Sequence, residues 1–278
     1  MKTSLYLIFL IAALTACNNS NNSQAKSISK TRVNDTLNTI LNEYDCDYRF
    51  VVKAIDQADF EKLYAHYYKE HKPTEITDYY TAKEMLGNVV EWMEEQGEDE
   101  NGEPTIYGHP LKINFRNGKT IDMIDEENLR IINESGWIEA SDYATFVSYF
   151  PHEDILYLYQ EGGGDTGDLS YILETGDSTD IAGDPRETYY PPIDKNYRIR
   201  GYFNGYASVF HYQQKQGDHY VNLCPLWERT ADYDVFASMQ KVFFTNDTTF
   251  YFEHEGHYNA IHHKEAKIIN NIRRDMEL

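Results

Sequence analysis

A chain of 278 residues can hold one large domain or two of ordinary size. With 41% apolar residues and 14% aromatics it can bury a core, which excludes a disordered protein. Acids outnumber bases 46 to 25, and the resulting charge of −21 repels phosphate backbones and excludes nucleic acid as the main partner.

Residues 1–16 read as a signal peptide. Lys2 and the free amine make a short positive start, and Leu5 to Leu14 is an apolar run too short to span a bilayer. Leu14-Thr15-Ala16-Cys17 follows, and this tetrapeptide resembles the lipobox of bacterial lipoproteins. Small residues let the backbone enter the peptidase, and the thiol takes a diacylglyceryl thioether. The resemblance implies that Cys17 becomes the new N-terminus and the lipidation site. A further acyl chain such as palmitate on its amine would make membrane attachment stable, because one chain alone binds only marginally. Asn18 is not the aspartate associated with retention in the inner membrane, so the outer membrane is the expected address. Bacteroidota lipoproteins that reach the cell surface carry acids just after the cysteine. Here the first acid is Asp35, which points to the periplasmic face. Residues 17–32 are a polar tether.

Residues 33–103 read as a helical region. Val33, Leu37, Ile40, Leu41 and Tyr44 share one helical face, and Phe60, Leu63, Tyr64, Tyr67 and Tyr68 form another stripe that Pro73 ends. Thr81 and Glu84 have capping-box spacing ahead of Met85, Leu86, Val89, Val90 and Met93, with Gly97 as the stop. The acidic run from Glu94 to Glu103 reads as a solvated loop.

From Pro104 the apolar period shifts to two. Leu111, Ile113 and Phe115, then Asn117-Gly118, then Ile121 and Met123 spell a hairpin, since Asn-Gly supplies the positive φ angles of a tight turn. A short helix is expected from Asp125 to Asn133, then nine strand-like pieces between 144 and 263. The expected class is therefore α+β: an N-terminal helical region followed by an antiparallel β-domain over 104–278, built as a sandwich or open meander. The 24 tyrosines suit half-buried strand positions and contact surfaces.

Leu169 to Gly176, then Gly183-Asp184-Pro185, then Tyr189 to Lys195 is similar to a blade of TolB-type β-propellers. It departs where Pro191 stands for the usual serine, and where Asn196 follows Lys195 in place of the glycine between aspartate and lysine. The resemblance implies a small propeller-like alternative, but about forty residues per blade leaves room for only three or four. As a whole the chain resembles Tyr-rich envelope lipoproteins of the Bacteroidota, a resemblance that implies no activity.

Signs of chemistry are few. Among the ten histidines, His254, His257 and His262 come nearest to a metal set, but the zinc-protease helix needs two imidazoles four apart and here the first two are three apart. No metal and no cofactor is expected. The glycine-rich stretch from Glu161 to Asp168 lacks the lysine of a phosphate loop and reads as a hairpin connection. Asp177, Asp180 and Asp184 could gather calcium, or simply belong to turns. No nucleophile elbow and no C-x-x-C is present. Cys46 and Cys224 can bridge in an oxidising compartment, and two buried free thiols are the alternative. These features favour a lipid-anchored, non-enzymatic module that binds a glycan or a basic protein. The rival is an envelope hydrolase acting on glycan or peptide. Acids and histidines clustered in one deep pocket would favour the enzyme, and a Tyr-rich face would favour binding.

Overall fold

The computed structural model describes residues 46–99, 101–124, 144–160, 167–227, 229–230, 233–256 and 260–270, all within the compact unit Cys46–Leu278. The chain begins with β1 (Tyr48–Ala54), α1 (Gln57–Tyr67) and α2 (Tyr79–Leu86). Next come β2 (Val90–Glu98), β3 (Pro104–Asn114), β4 (Thr120–Asp122), β5 (Ala144–Phe150), β6 (Ile155–Gln160) and β7 (Gly167–Ile172). A single turn of helix, α3 (Thr179–Ala182), leads to β8 (Thr188–Tyr189), β9 (Tyr197–Phe203), β10 (Ser208–Gln216) and β11 (His219–Pro225). The two-residue strands β12 (Arg229–Thr230) and β13 (Tyr233–Asp234) precede β14 (Met239–Asn246), β15 (Thr249–Glu255) and β16 (Ile261–Asn270).

The protein is β-rich, and every ladder is antiparallel. Its larger sheets associate in two pairs. The sheets β2-β3-β4 and β5-β6-β7 enclose one core, in which Ile113, Phe146, Leu156 and Leu158 meet Tyr79, Ala82 and Leu86 of α2. Gly108 lies directly beneath that helix, and a Cβ there would come within 2.1 Å of the Tyr79 ring. The sheets β8-β9-β10-β11 and β14-β15-β16-β1 enclose a second core of Ile199, Phe210, Phe236, Phe250 and Phe252. Alternation explains the strands: Tyr48, Phe50 and Val52 of β1 turn one way into this core, and the residues between them turn outward.

The expected helical region over 33–103 is overturned in its described part, and the α+β division with it. Helix α1 starts where Asp56 accepts the Ala58 amide and stops at Tyr68, which is extended. Helix α2 is capped by Asp78, not by the Thr81–Glu84 box, and ends at Gly87 with φ of +53°. Beyond it, residues 90–98 are a strand paired with β3 from Val90↔Ile113 to Glu98↔Pro104. Local helical spacing of Val89, Val90 and Met93 loses there to cross-strand pairing. The expected boundary at 103/104 instead cuts a hairpin whose turn is pinned by Asp99, which accepts from the Asn101 and Glu103 amides. β1 pairs along its whole length with β16, at the far end of the chain. The stripe from Val33 to Tyr44 and the helix expected from Asp125 to Asn133 lie outside the described residues.

The Asn117-Gly118 hairpin is present, with Gly118 at φ +86° and Asn114 facing Thr120. The segment that resembles a propeller blade passes between sheets: β7 is an edge of β5-β6-β7, and β8 is an edge of β8-β9-β10-β11.

Candidate functional site

Strand β9 carries Arg198-Ile199-Arg200. Period-two alternation sends Ile199 into the second core and both arginines to the opposite face. Each arginine is 1% exposed. Burying two guanidiniums is tolerable only with charge and hydrogen-bond partners. The connection between β5 and β6 supplies the charge: it turns through Glu153 and Asp154, the latter held at φ +52°. Arg198 Nη1 donates to Glu153 Oε2 at 2.7 Å, while Arg200 Nη2 donates to Oε1 at 2.7 Å and Oε2 at 2.8 Å. Arg200 also donates to Thr188 Oγ1 and the Ala182 carbonyl, which completes its fork. Arg198 Nε donates to Gln213 Oε1 at 2.7 Å, and its guanidinium stacks 3.6 Å from the centre of the Tyr220 ring. Gln213 is itself fixed by donating to the Ile181 carbonyl and to Asn222.

Burial pushes the Glu153 carboxyl up, but Arg200 and Arg198 outweigh it and hold it at about 2. Burial, with Arg198 beside it, draws Arg200 below its ordinary value. Next to Glu153, Asp154 accepts two bonds from Arg116, at 2.8 and 3.1 Å, and one from the Tyr149 hydroxyl at 2.8 Å.

Arg198 and Glu153 line a cavity of about 650 Å³, walled by Tyr190, Tyr220, His71 and Lys215. The segment 71–73 and Tyr190 separate it from a second cavity of about 900 Å³, to which Tyr67, Tyr68 and Tyr189 contribute. His71 meets the Tyr190 ring edge-on at 5.4 Å. Histidines and acids do share the first cavity, the pattern that would favour an enzyme. Its Glu153 is ionised at neutral pH, while Glu174, Asp218, His152 and His219 also line the cavity. The result is a concave, tyrosine-walled surface lined by both signs of charge, with the clamped Arg198 among them.

Cys17 lies outside the described residues. Cys46 and Cys224 are brought together as free thiols, with the Cys46 thiol within hydrogen-bonding reach of Cys224 and Cys224 Sγ 3.5 Å from the Tyr48 carbonyl. His254 and His262 face each other across β15 and β16, their rings stacked at 5.1 Å, and His257 lies outside the described residues. Burial, then Lys264 and His262, hold His254 down at about 4. The ligand-type cluster that does form among the described residues is Glu61, Glu253 and His263, with atoms within 4.8 Å of one another. Lys241 Nζ sits 2.9 Å from Glu253 Oε1 and places an ammonium against that cluster. Asp177, Asp180 and Asp184 each serve a separate partner: Thr175, Tyr202 and Arg186. The glycine-rich stretch connects β6 to β7, where Gln160 pairs with Gly167.

Sequence reasoning missed the two arginines. Their signal was Arg-Ile-Arg inside a strand of an acidic chain, two cations on one face with an apolar residue between them. Compared with known proteins, the chain matches no family, no curated protein and no solved structure. No helix among the described residues is long and apolar enough to cross a membrane.

Proposed function

We propose that this chain is an envelope lipoprotein, anchored through lipid on Cys17 at the periplasmic face of the outer membrane, whose β-rich part binds a glycan without transforming it. The observation that carries the binding reading is the cavity floored by Arg198, in which the acid closest to that arginine is locked by two guanidiniums. Tyrosine suits this work because it offers a flat apolar ring and a polar tip at low entropic cost. The glycan reading takes precedence over a basic protein partner because Tyr190 and Tyr220 wall a concave cavity that mixes Lys72, Arg198 and Lys215 with Glu153, Asp154, Glu174 and Asp218, a lining suited to hydroxyl-rich ligands. The test is a glycan-array screen of the full-length protein in detergent, beside its Tyr190→Ala variant. Selective saccharide binding that the variant loses supports the reading. An array with no bound saccharide overturns it.

Besides the histidines and acids of the first cavity, a further observation favours the hydrolase reading. A third cavity of about 530 Å³ is lined by Asp168, Asp184 and Glu187. Burial raises the Asp168 and Glu187 carboxyls above their ordinary values. A raised carboxyl is what a general acid requires. Turnover of an envelope glycan that Glu187→Gln abolishes would make this the better account.

A further inference from the structure

The charges at the floor of the first cavity do not cancel. Two guanidiniums, each 1% exposed, share the single carboxylate of Glu153. Arg200 spends its nitrogens on Thr188, Ala182 and Glu153. Arg198 spends only two, Nε on Gln213 and Nη1 on Glu153, and its Nη2 donates to no protein group among the described residues. Uncompensated positive charge in a water-poor place is costly, and a ligand that brings a negative oxygen relieves that cost. Arg198 cannot turn away, because Gln213 and Tyr220 clamp it on its edge and its face. An immobilised guanidinium loses little further entropy on binding, which is what makes arginine effective at recognising oxyanions. Lys215, exposed at the rim, adds a second cation on the same side.

From this arrangement, and resting on the glycan reading above, we infer that the preferred occupant is an acidic saccharide, whose carboxylate or sulfate oxygen is taken by Arg198 Nη2 while its ring lies between Tyr190 and Tyr220. The chain's overall charge of −21 repels such a ligand at a distance. Selectivity for the anion is therefore local, set by a cation already desolvated before the ligand arrives. The neighbouring Asp154 is already engaged by Arg116 and Tyr149, and Glu174 and Asp218 elsewhere in the lining oppose an anion, so the selection falls to Arg198 itself.

The experiment titrates full-length protein in detergent with three size-matched oligosaccharides: a hexuronate oligomer, the same oligomer with its carboxyls reduced to alcohols, and a sulfated neutral oligomer. At least one acidic oligomer should bind ten times tighter than the reduced one, and the acidic oligomer that wins identifies carboxylate or sulfate as the source. Arg198→Lys, with folding checked by thermal melting, should abolish the preference, because an ammonium on a shorter reach cannot keep the fork. Lys215→Gln, an exposed site that folding does not need, should weaken only the acidic ligand, by several-fold. Equal affinity for the hexuronate and its reduced form overturns this inference and leaves the glycan reading standing. Failure of all three oligomers to bind, together with an empty glycan array, removes both. A folded Arg198→Lys protein that keeps the preference also overturns the assignment. If that variant does not fold, the comparison of acidic with reduced ligand on the unaltered protein decides alone.

Discussion

Arg200 grips Glu153 with one nitrogen on both carboxylate oxygens, Nη2 to Oε1 at 2.7 Å and to Oε2 at 2.8 Å, from 47 residues further along the chain. The bond ties the β5–β6 connection of one sheet pair to β9 of the other, so the cavity floor is also a structural joint. Replacing Glu153 by Gln keeps the shape and leaves two interior guanidiniums without a counter-charge. The expected loss of stability is about 3–5 kcal/mol. Urea unfolding of the variant measures it, and a loss below about 1 kcal/mol would mean that the joint is unimportant.

The same residue sets a limit at low pH. Glu153 titrates at about 2 in the folded protein, against an ordinary 4.5. Its contribution is complete above 4.5 and disappears as pH falls through 4.5 toward 2, because the unfolded chain then binds the proton more readily. The difference is worth about 3 kcal/mol. In Glu153→Gln the slope of stability against pH over that window should flatten.

A second group acts at higher pH. His254 is 1% exposed and is held at about 4, against an ordinary 6.5. Above 6.5 it is neutral in both states. Between 6.5 and 4 the unfolded chain gains a proton that the folded one refuses, so stability declines by up to about 3 kcal/mol and then levels. Burial lowers His109 and His211 in the same direction. Chemical unfolding at pH 7.5, 6 and 5 should show the decline, and His254→Phe should reduce it. A profile flat over that range in the wild-type protein would contradict the burial argument.

Cys46 and Cys224 should form a disulfide when the protein is made in an oxidising compartment. The thiols already adjoin, and a bond between them would join the segment before the edge strand β1 to the edge strand β11 of the facing sheet. Burial, with Cys46 alongside, keeps the Cys224 thiol protonated, so oxidation by an exchanging disulfide, which takes up two electrons and two protons, should be slow. Closing so long a loop can add up to about 5 kcal/mol. Non-reducing peptide mapping of exported protein decides the matter: one linked pair is expected, and two freely alkylated thiols would refute it.

Cys17→Ser should leave the protein without lipid, either unprocessed or released from the membrane. Fatty-acid labelling with membrane fractionation reads the outcome, and an equally labelled, membrane-bound variant would remove the basis for the anchor.

Local rules carried the reading furthest where the deciding partners were close in sequence. Asn117-Gly118 made its hairpin because Gly118 supplies the one positive φ that the turn uses, and Phe60, Leu63 and Tyr64 made a helical stripe on α1. Most strands after residue 144 were legible as short runs bounded by turn residues, although β6 and β15 are buried on both faces and show no period of two. The apolar run from Leu5 to Leu14 and the Leu14 to Cys17 motif are likewise properties of the chain alone, and the proposed anchor rests on them without any tertiary contact.

Other features depended on residues far apart. β1 is a strand because β16 supplies its hydrogen bonds, and β2 is one because β3 does, although Val89, Val90 and Met93 also satisfy a helical spacing. Neither pairing has a local signature, and backbone groups accept whichever partner the collapsed chain offers. The candidate site is more dependent still. Arg198 and Arg200 share a strand, but their carboxylate comes from the β5–β6 turn, the ring stacked on Arg198 from β11 and part of the cavity wall from the segment after α1. An arginine in a strand is ordinarily solvated. Only the tertiary structure, by burying two of them against one carboxylate, turns ordinary surface chemistry into a fixed, partly unanswered charge at the bottom of a cavity.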